Sequence, residues 1–179
     1  MLRALWLPAE LLGKRLNSVS ERRRRSAAPR SVVPKKISPG ACQNVLDRIL
    51  HFDLQSGPGG NPSMAMLRLK HRAQHSGIDE ILPEAFAMVN AAISRILGVQ
   101  ATGEQLLAGL HMLQGRIVEM NAGEGKTIAA AFPAVVHALR GSSVHVITAN
   151  DYLAARDADL LAPVYRSLGI SAGAVLGYM

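Results

Sequence analysis

The stretch Met120-Asn-Ala-Gly-Glu-Gly-Lys-Thr127 constrains this chain more than any other, because it sets two glycines one residue apart immediately before a long, alanine-rich apolar run. Glycine reaches backbone conformations closed to residues that carry a Cβ, so such a loop can turn successive N–H groups to one side. Ile117 to Met120 is a short apolar run fit to end a buried strand, and Ile128 to Leu139 reads as the helix that follows. Strand, glycine turn and helix form the frame in which helix N-terminal amides collect phosphate oxygens. In that frame Lys126 brings positive charge to the outer phosphates of a nucleotide, and Thr127 brings a hydroxyl for Mg²⁺. The strict eight-residue pattern needs glycine at position 120, where this chain has Met120; the shorter Gly-x-Gly-Lys-Thr form of helicase-like motors fits. Pro133 removes an N–H from the following helix and predicts a kink there.

The chain has 179 residues and is 49% hydrophobic, enough for one domain with a sizeable core and too apolar for a chain disordered throughout. Its longest apolar stretches fall short of the ~20 residues that span a bilayer, so no transmembrane helix is expected. The lone Cys42 excludes an internal disulfide and a cysteine metal cluster, and reads as an ordinary thiol suited to a reducing compartment. His111, His137 and His145 lack mutual ligand spacing and read as packing or surface residues.

Charge is distributed unevenly. Residues 1–40 hold ten Lys and Arg against Glu10 and Glu21, whereas the rest of the chain holds ten against eleven acidic residues. The basic excess is therefore a property of the tail, where Arg22 to Arg25, Arg30, Lys35 and Lys36 lie among Ser, Ala and Pro in a solvated segment whose partner should be anionic. Ahead of this block Leu2, Leu5, Trp6, Leu11, Leu12 and Leu16 recur at roughly helical spacing, so Met1 to Leu16 is expected to form an amphipathic helix. Acidic phospholipid and nucleic acid would both answer such a tail. Lipid is favoured, because apolar residues and Trp6 beside a polybasic run match two-signal peripheral membrane binding. A merely solubilising tail is the plainer alternative. A signal peptide fits poorly, since the positive block follows the apolar stretch. A transit peptide is a further alternative, against which Glu10 counts.

Periodicity places a helix over Ala41 to Leu54, with Val45, Leu46, Ile49, Leu50 and Leu54 on one face, then a Gly/Pro linker at 56–62. A second helix runs from Ser63 to about His75. Asp79 is expected to cap a third, with Pro83 in its opening turn, a stripe of Phe86, Val89, Ile93, Ile96 and Leu97, and Gly98 as its stop. Thr102 caps a fourth, which reaches Gly115. Beyond the glycine loop the pattern alternates: helix to Arg140, strand Ser143 to Thr148, helix from Asp151 to about Leu168, strand Ala172 to Leu176. That rhythm predicts an α/β fold in which a partial parallel P-loop sheet of the helicase type follows an all-helical segment and a basic tail. Phosphates would then sit at the C-terminal edge of the strands.

Four blocks occur in order: Leu82-Pro-Glu-Ala-Phe-Ala87, Gln105-Leu-Leu-Ala-Gly109, Glu119-Met-Asn-Ala-Gly-Glu-Gly-Lys-Thr127 and Val144-His-Val-Ile-Thr-Ala-Asn-Asp-Tyr-Leu-Ala-Ala-Arg-Asp157. Together they resemble the start of SecA, the preprotein translocase motor family, across residues 78–179. Residues 1–40 are then a tail, 41–77 a helical segment, and 78–179 an incomplete nucleotide-binding domain. The resemblance implies a motor that couples ATP hydrolysis to the passage of unfolded preproteins through the SecY channel. It also implies a place in the bacterial cytoplasm, peripheral on the inner membrane and in contact with anionic lipid. Gln105 would bond the adenine edge, Gly123, Glu124 and Gly125 would wrap the phosphates, Lys126 would contact the β and γ groups, and Thr127 would ligate Mg²⁺.

The chain departs from the family where an aromatic residue is usual three positions before the adenine glutamine; here Gln100-Ala-Thr-Gly-Glu104 stands instead. The sequence also holds no Asp-Glu-Ala-Asp-type segment and no second motor fold, so no turnover is expected of these 179 residues alone. Two other readings stand beside the motor. One is a catalytically dead, membrane-associated nucleotide-binding module. The other is a nucleic-acid helicase fragment, against which Asn150 to Asp157 argues, leaving nucleic acid the less favoured partner. Asn150 or Asp151 also suits a helix cap. Glu119 and Asp157 read as solvated or paired carboxylates with no catalytic task.

Overall fold

A computed structural model describes residues 3–8, 39–52, 62–75 and 77–177. In chain order the elements are β1 (Arg3–Pro8), α1 (Pro39–Leu50), α2 (Pro62–His75), α3 (Ile78–Leu97), α4 (Gly103–Leu113), α5 (Lys126–Leu139), β2 (Val144–Thr148), α6 (Asp151–Ser167) and β3 (Ser171–Ala174). The chain is mostly helical. None of the described helices is long and apolar enough to cross a membrane.

Local chemistry sets several helix ends. Gly98 closes α3 in the left-handed conformation (φ 71°), and its N–H donates to the Ser94 carbonyl. Thr102 opens α4 through a reciprocal capping box: its hydroxyl accepts from the Gln105 N–H, and the Gln105 side chain accepts from the Thr102 N–H. Asn150 caps α6 by accepting from the Leu153 N–H at 2.9 Å. The expected cap at Asp79 is not used. The N-cap of α3 is Gly77, and Asp79 lies within the first turn, where a carboxylate favours the positive helix end.

The core joins the inner faces of all these helices. Leu69, Ile81, Phe86, Val89, Ile93, Leu106, Phe132, Val135, Val136, Leu139 and Val164 are fully buried within it. Phe86 of α3 stacks on Phe132 of α5 with ring centroids 5.0 Å apart. The predicted stripe of α3 is thus the inward face, with Ile96 and Leu97 half-buried at its end. Tyr165 lies in the same core, and burial pushes its phenol pKa up. At the surface, Arg72 of α2 pairs with Glu84 of α3.

The three strands pair in the order β2-β1-β3, all parallel. The register sets Ala4 beside Val144 and Pro8 beside Thr148 on one side, and Arg3 beside Ser171 and Trp6 beside Ala174 on the other. Two expectations are corrected here. Arg3–Pro8, expected within an amphipathic helix, is a strand; in a helix over 1–16, Pro8 would be interior and would cost about 3 kcal/mol. The remaining residues of that expected helix lie outside the described residues, as do the Arg block and the 56–61 part of the linker. The second correction concerns Ile117 to Met120, which form no strand: Ile117 is 103% exposed. The middle of the sheet is taken by Arg3-Ala-Leu-Trp-Leu-Pro8, whose apolar run suits a parallel strand better than a segment flanked by Arg116 and carrying Glu119. The P-loop sheet expected over 78–179 is therefore matched only in its two strands β2 and β3 and in their parallel sense.

Close packing of α4 on α5 rests on Gly109. A Cβ there would stand 3.1 Å from Phe132 Cβ, 3.2 Å from the Ala129 carbonyl oxygen and 3.3 Å from the Phe86 ring. Gly109→Val should overpack this contact and lower stability by about 1–3 kcal/mol, read as a lower denaturant midpoint at unchanged slope. An unaltered midpoint would show that the two helices do not meet this closely.

Candidate functional site

The glycine loop lies between the end of α4 and the start of α5, and its shape depends on two residues. Gly123 (φ 85°) and Gly125 (φ 76°) both take the left-handed conformation that side-chain-bearing residues rarely adopt. Gly125 is the N-cap of α5 and supplies no side-chain hydrogen bond. The Ala129 N–H already donates to the Gly125 carbonyl, whereas the amides of the first turn have no partner within the helix. A fourteen-residue helix ends here with its positive pole and without a side-chain cap.

Side chains around the loop hold one another. Glu124 turns back on Asn121, accepting from its backbone N–H and from Nδ2, each at 2.7 Å. These two donors, the side chain first, hold the Glu124 carboxyl below its ordinary pKa. Lys126 Nζ donates to the Asn121 carbonyl at 2.6 Å. From α4, Gln105 Nε2 donates to the Glu124 carbonyl at 2.8 Å. A Cβ on Gly125 would come within 2.4 Å of that same Nε2.

Beside the loop a cleft of about 580 Å³ opens, within the range usual for small-molecule sites. Gly123, Gly125, Lys126 and Thr127 line it from the loop and first turn of α5; Val146 to Ala149 line it from the end of β2; Leu153, Arg156 and Asp157 line it from α6. Four of the six residues singled out in the sequence thus meet at one cleft. Gln105 and Glu124 do not line it, and are instead bonded to each other next to it. The position at the C-terminal end of β2 is the one expected of a phosphate site in a parallel sheet.

Asp157, given no role from sequence, is part of this wall. The residue is only 7% exposed. Arg156 Nε and NH2 both donate to its Oδ1, at 2.9 and 2.7 Å, and the Thr127 hydroxyl reaches its Oδ2 at 3.3 Å. A carboxylate seven residues into a charged helix start reads as solvated; only the packing of α6 against α5 turns it inward.

Residues 61–179 match the SecA DEAD-like domain family. The chain belongs to that family. Among its SecA relatives, the "Protein translocase subunit SecA" of Clostridium botulinum strain Hall is 54% identical over 99 residues, which are 55% of this chain and 12% of the relative. The proteins of the same title from Syntrophomonas wolfei and Cellvibrio japonicus are 52% identical over 99 residues and 50% identical over 98 residues, again across 55% of this chain. The chain therefore spans about one eighth of the length of the SecA proteins it resembles, since 12% of the Syntrophomonas protein and 11% of the Cellvibrio protein are covered.

The two glycines of the SecA-like loop are not equivalent. Gly123→Ala meets nothing within 4 Å and adds only left-handed strain, roughly 1–2 kcal/mol, whereas Gly125→Ala adds the same strain and drives into Gln105. Thermal unfolding of the two variants should therefore rank Gly125→Ala below Gly123→Ala, and Gln105→Ala should narrow the gap. Equal melting points in the two alanine variants would contradict the loop geometry.

Proposed function

We propose that this chain is the ATP-binding part of a SecA-type motor, one that couples ATP hydrolysis to the movement of preproteins through the SecY channel. The observation that carries this reading is the convergence of Gly123, Gly125, Lys126 and Thr127 on one cleft at an uncapped helix N-terminus. Membership of the SecA DEAD-like family supports it. In the proposed complex the backbone amides of Gly125 to Ile128 and the Lys126 ammonium hold the phosphates. Lys126 leaves the Asn121 carbonyl to do so, exchanging a neutral acceptor for a charged one. Gln105 holds the Glu124 carbonyl with one amide proton and keeps a second for the adenine edge, while Thr102, at the place of the family's aromatic residue, accepts in the helix cap.

The residues present suit Mg²⁺ arriving with the nucleotide. Thr127 offers an oxygen donor to a hard cation at the mouth of the cleft. Among the described residues no group of three or more His, Cys, Asp or Glu could hold a metal on its own, so phosphate oxygens and water would supply the remaining ligands. Bound there, Mg²⁺ would neutralise charge on the phosphate oxygens.

We further propose a peripheral place on the cytoplasmic face of the inner membrane, with residues 1–36 contacting anionic lipid. A strand at Arg3–Pro8 removes the amphipathic helix from that argument and leaves the attraction to Arg22 to Arg25, Arg30, Lys35 and Lys36. Binding to phosphatidylserine vesicles should accordingly vanish at high salt and on replacing Arg22 to Arg25 by serine. Retention of single-stranded nucleic acid with no vesicle binding would favour the helicase reading instead.

Lys126→Ala decides the main proposal. Equilibrium titration with ATP and magnesium should show binding by the parent chain and none by the variant at nucleotide concentrations that saturate the parent. Equal affinity of the two proteins would defeat the assignment.

A further inference from the structure

We infer that Asp157 is a positioning residue for the nucleotide's cation: it fixes the Thr127 hydroxyl so that its lone pairs face the cleft. The inference rests on the nucleotide-binding reading above and extends it to a residue thirty positions beyond the phosphate loop.

The chemistry follows from how the carboxylate is divided. Oδ1 is occupied by both Arg156 donors, and Oδ2 is left to Thr127. An ionised carboxylate is an acceptor only, so in this pair the threonine must donate. A hydroxyl has one proton and two lone pairs; with the proton committed to Asp157, the lone pairs are the part left for a cation. Without that acceptor the hydroxyl proton is free to rotate and no lone-pair direction is set. The side chain of Asp157 is 10% exposed and that of Arg156 is 51% exposed, so the ion pair is anchored on its acidic side and open on its basic side. Asp157 also sets a negative charge in the wall of a cleft whose other charged groups, Lys126 and Arg156, are cationic. Such a charge favours a divalent cation and disfavours phosphate that comes without one.

That opposition gives the test its sign. In the full 179-residue chain, affinity for a fluorescent ATP analogue (mant-ATP) is measured with magnesium and with EDTA. The readout is the ratio of the two affinities. Asp157→Asn should weaken binding in magnesium, strengthen it in EDTA, and lower the ratio by tenfold or more, in the range of about 10–100-fold typical for loss of a partner that orients a metal ligand. Thr127→Val should lower the ratio as well, and adding Asp157→Asn to it should lower it little further, because the two act through one hydroxyl. A residue that only supported the fold would weaken binding equally in both conditions. An unchanged ratio, an equal loss in both conditions, or full additivity with Thr127→Val would each overturn the inference. If the asparagine variant does not fold, Asp157→Glu keeps the charge while moving it by a methylene, and the same ratio decides. A parent chain that binds no mant-ATP in either condition would refute the nucleotide reading and this inference with it; a parent that binds with magnesium dependence beside an unaffected variant would refute the inference alone.

Discussion

The site depends on how closely α4 sits on α5. Gly109 has no Cβ to hold the helices apart, and the space it leaves is filled by Phe132 Cβ and the Ala129 carbonyl. Gln105 lies four residues earlier on α4, hence one turn along the same face. Its side chain therefore arrives at the residue just before α5, where Nε2 meets the Glu124 carbonyl. Gly125 answers the same constraint from the other side, since any side chain there would occupy the position of the glutamine amide. Two glycines and one glutamine thus form a single steric unit.

Around that unit the charges sort by burial. Glu124 and Lys126 are exposed and satisfy themselves on Asn121, contacts that exchange readily for a stronger partner. Asp157 is enclosed, and an enclosed carboxylate is costly unless paired and hydrogen-bonded. Arg156 and Thr127 satisfy it, and the Thr127 bond ties α6 to the first turn of α5. The exposed part of the site is thereby free to reorganise around a ligand while the enclosed part is fixed.

Much of this was legible in the residues. Thr102 followed by Gln105 is a capping-box spacing, Gly98 ends a periodic apolar stripe, and Asn150 precedes one; each is a local rule that the fold obeys. The loop glycines were legible for the same reason, because positive φ is a property of a single residue. The misreadings share a different cause. Leu2, Leu5, Leu12 and Leu16 carry helical spacing, but Pro8 is ill suited to the interior of the helix that spacing implies, and Arg3–Pro8 finds strand partners in β2 and β3. Ile117 and Val118 are as strand-prone as any residues in the chain, yet a strand exists only where a neighbour offers free backbone groups, and the slot between β2 and β3 is filled by β1.

The amino-acid sequence by itself determined the elements whose reasons are local: the caps, the glycine turn, the inward stripe of α3, and the lysine and threonine that follow the turn. Tertiary structure alone decided which strand holds the centre of the sheet, that Gly109 must be bare, and that Asp157 faces Thr127. Backbone preference acts within a few residues and is written in their order. Strand pairing, helix approach and the enclosure of a charge depend on groups distant along the chain, and those distances close only on folding.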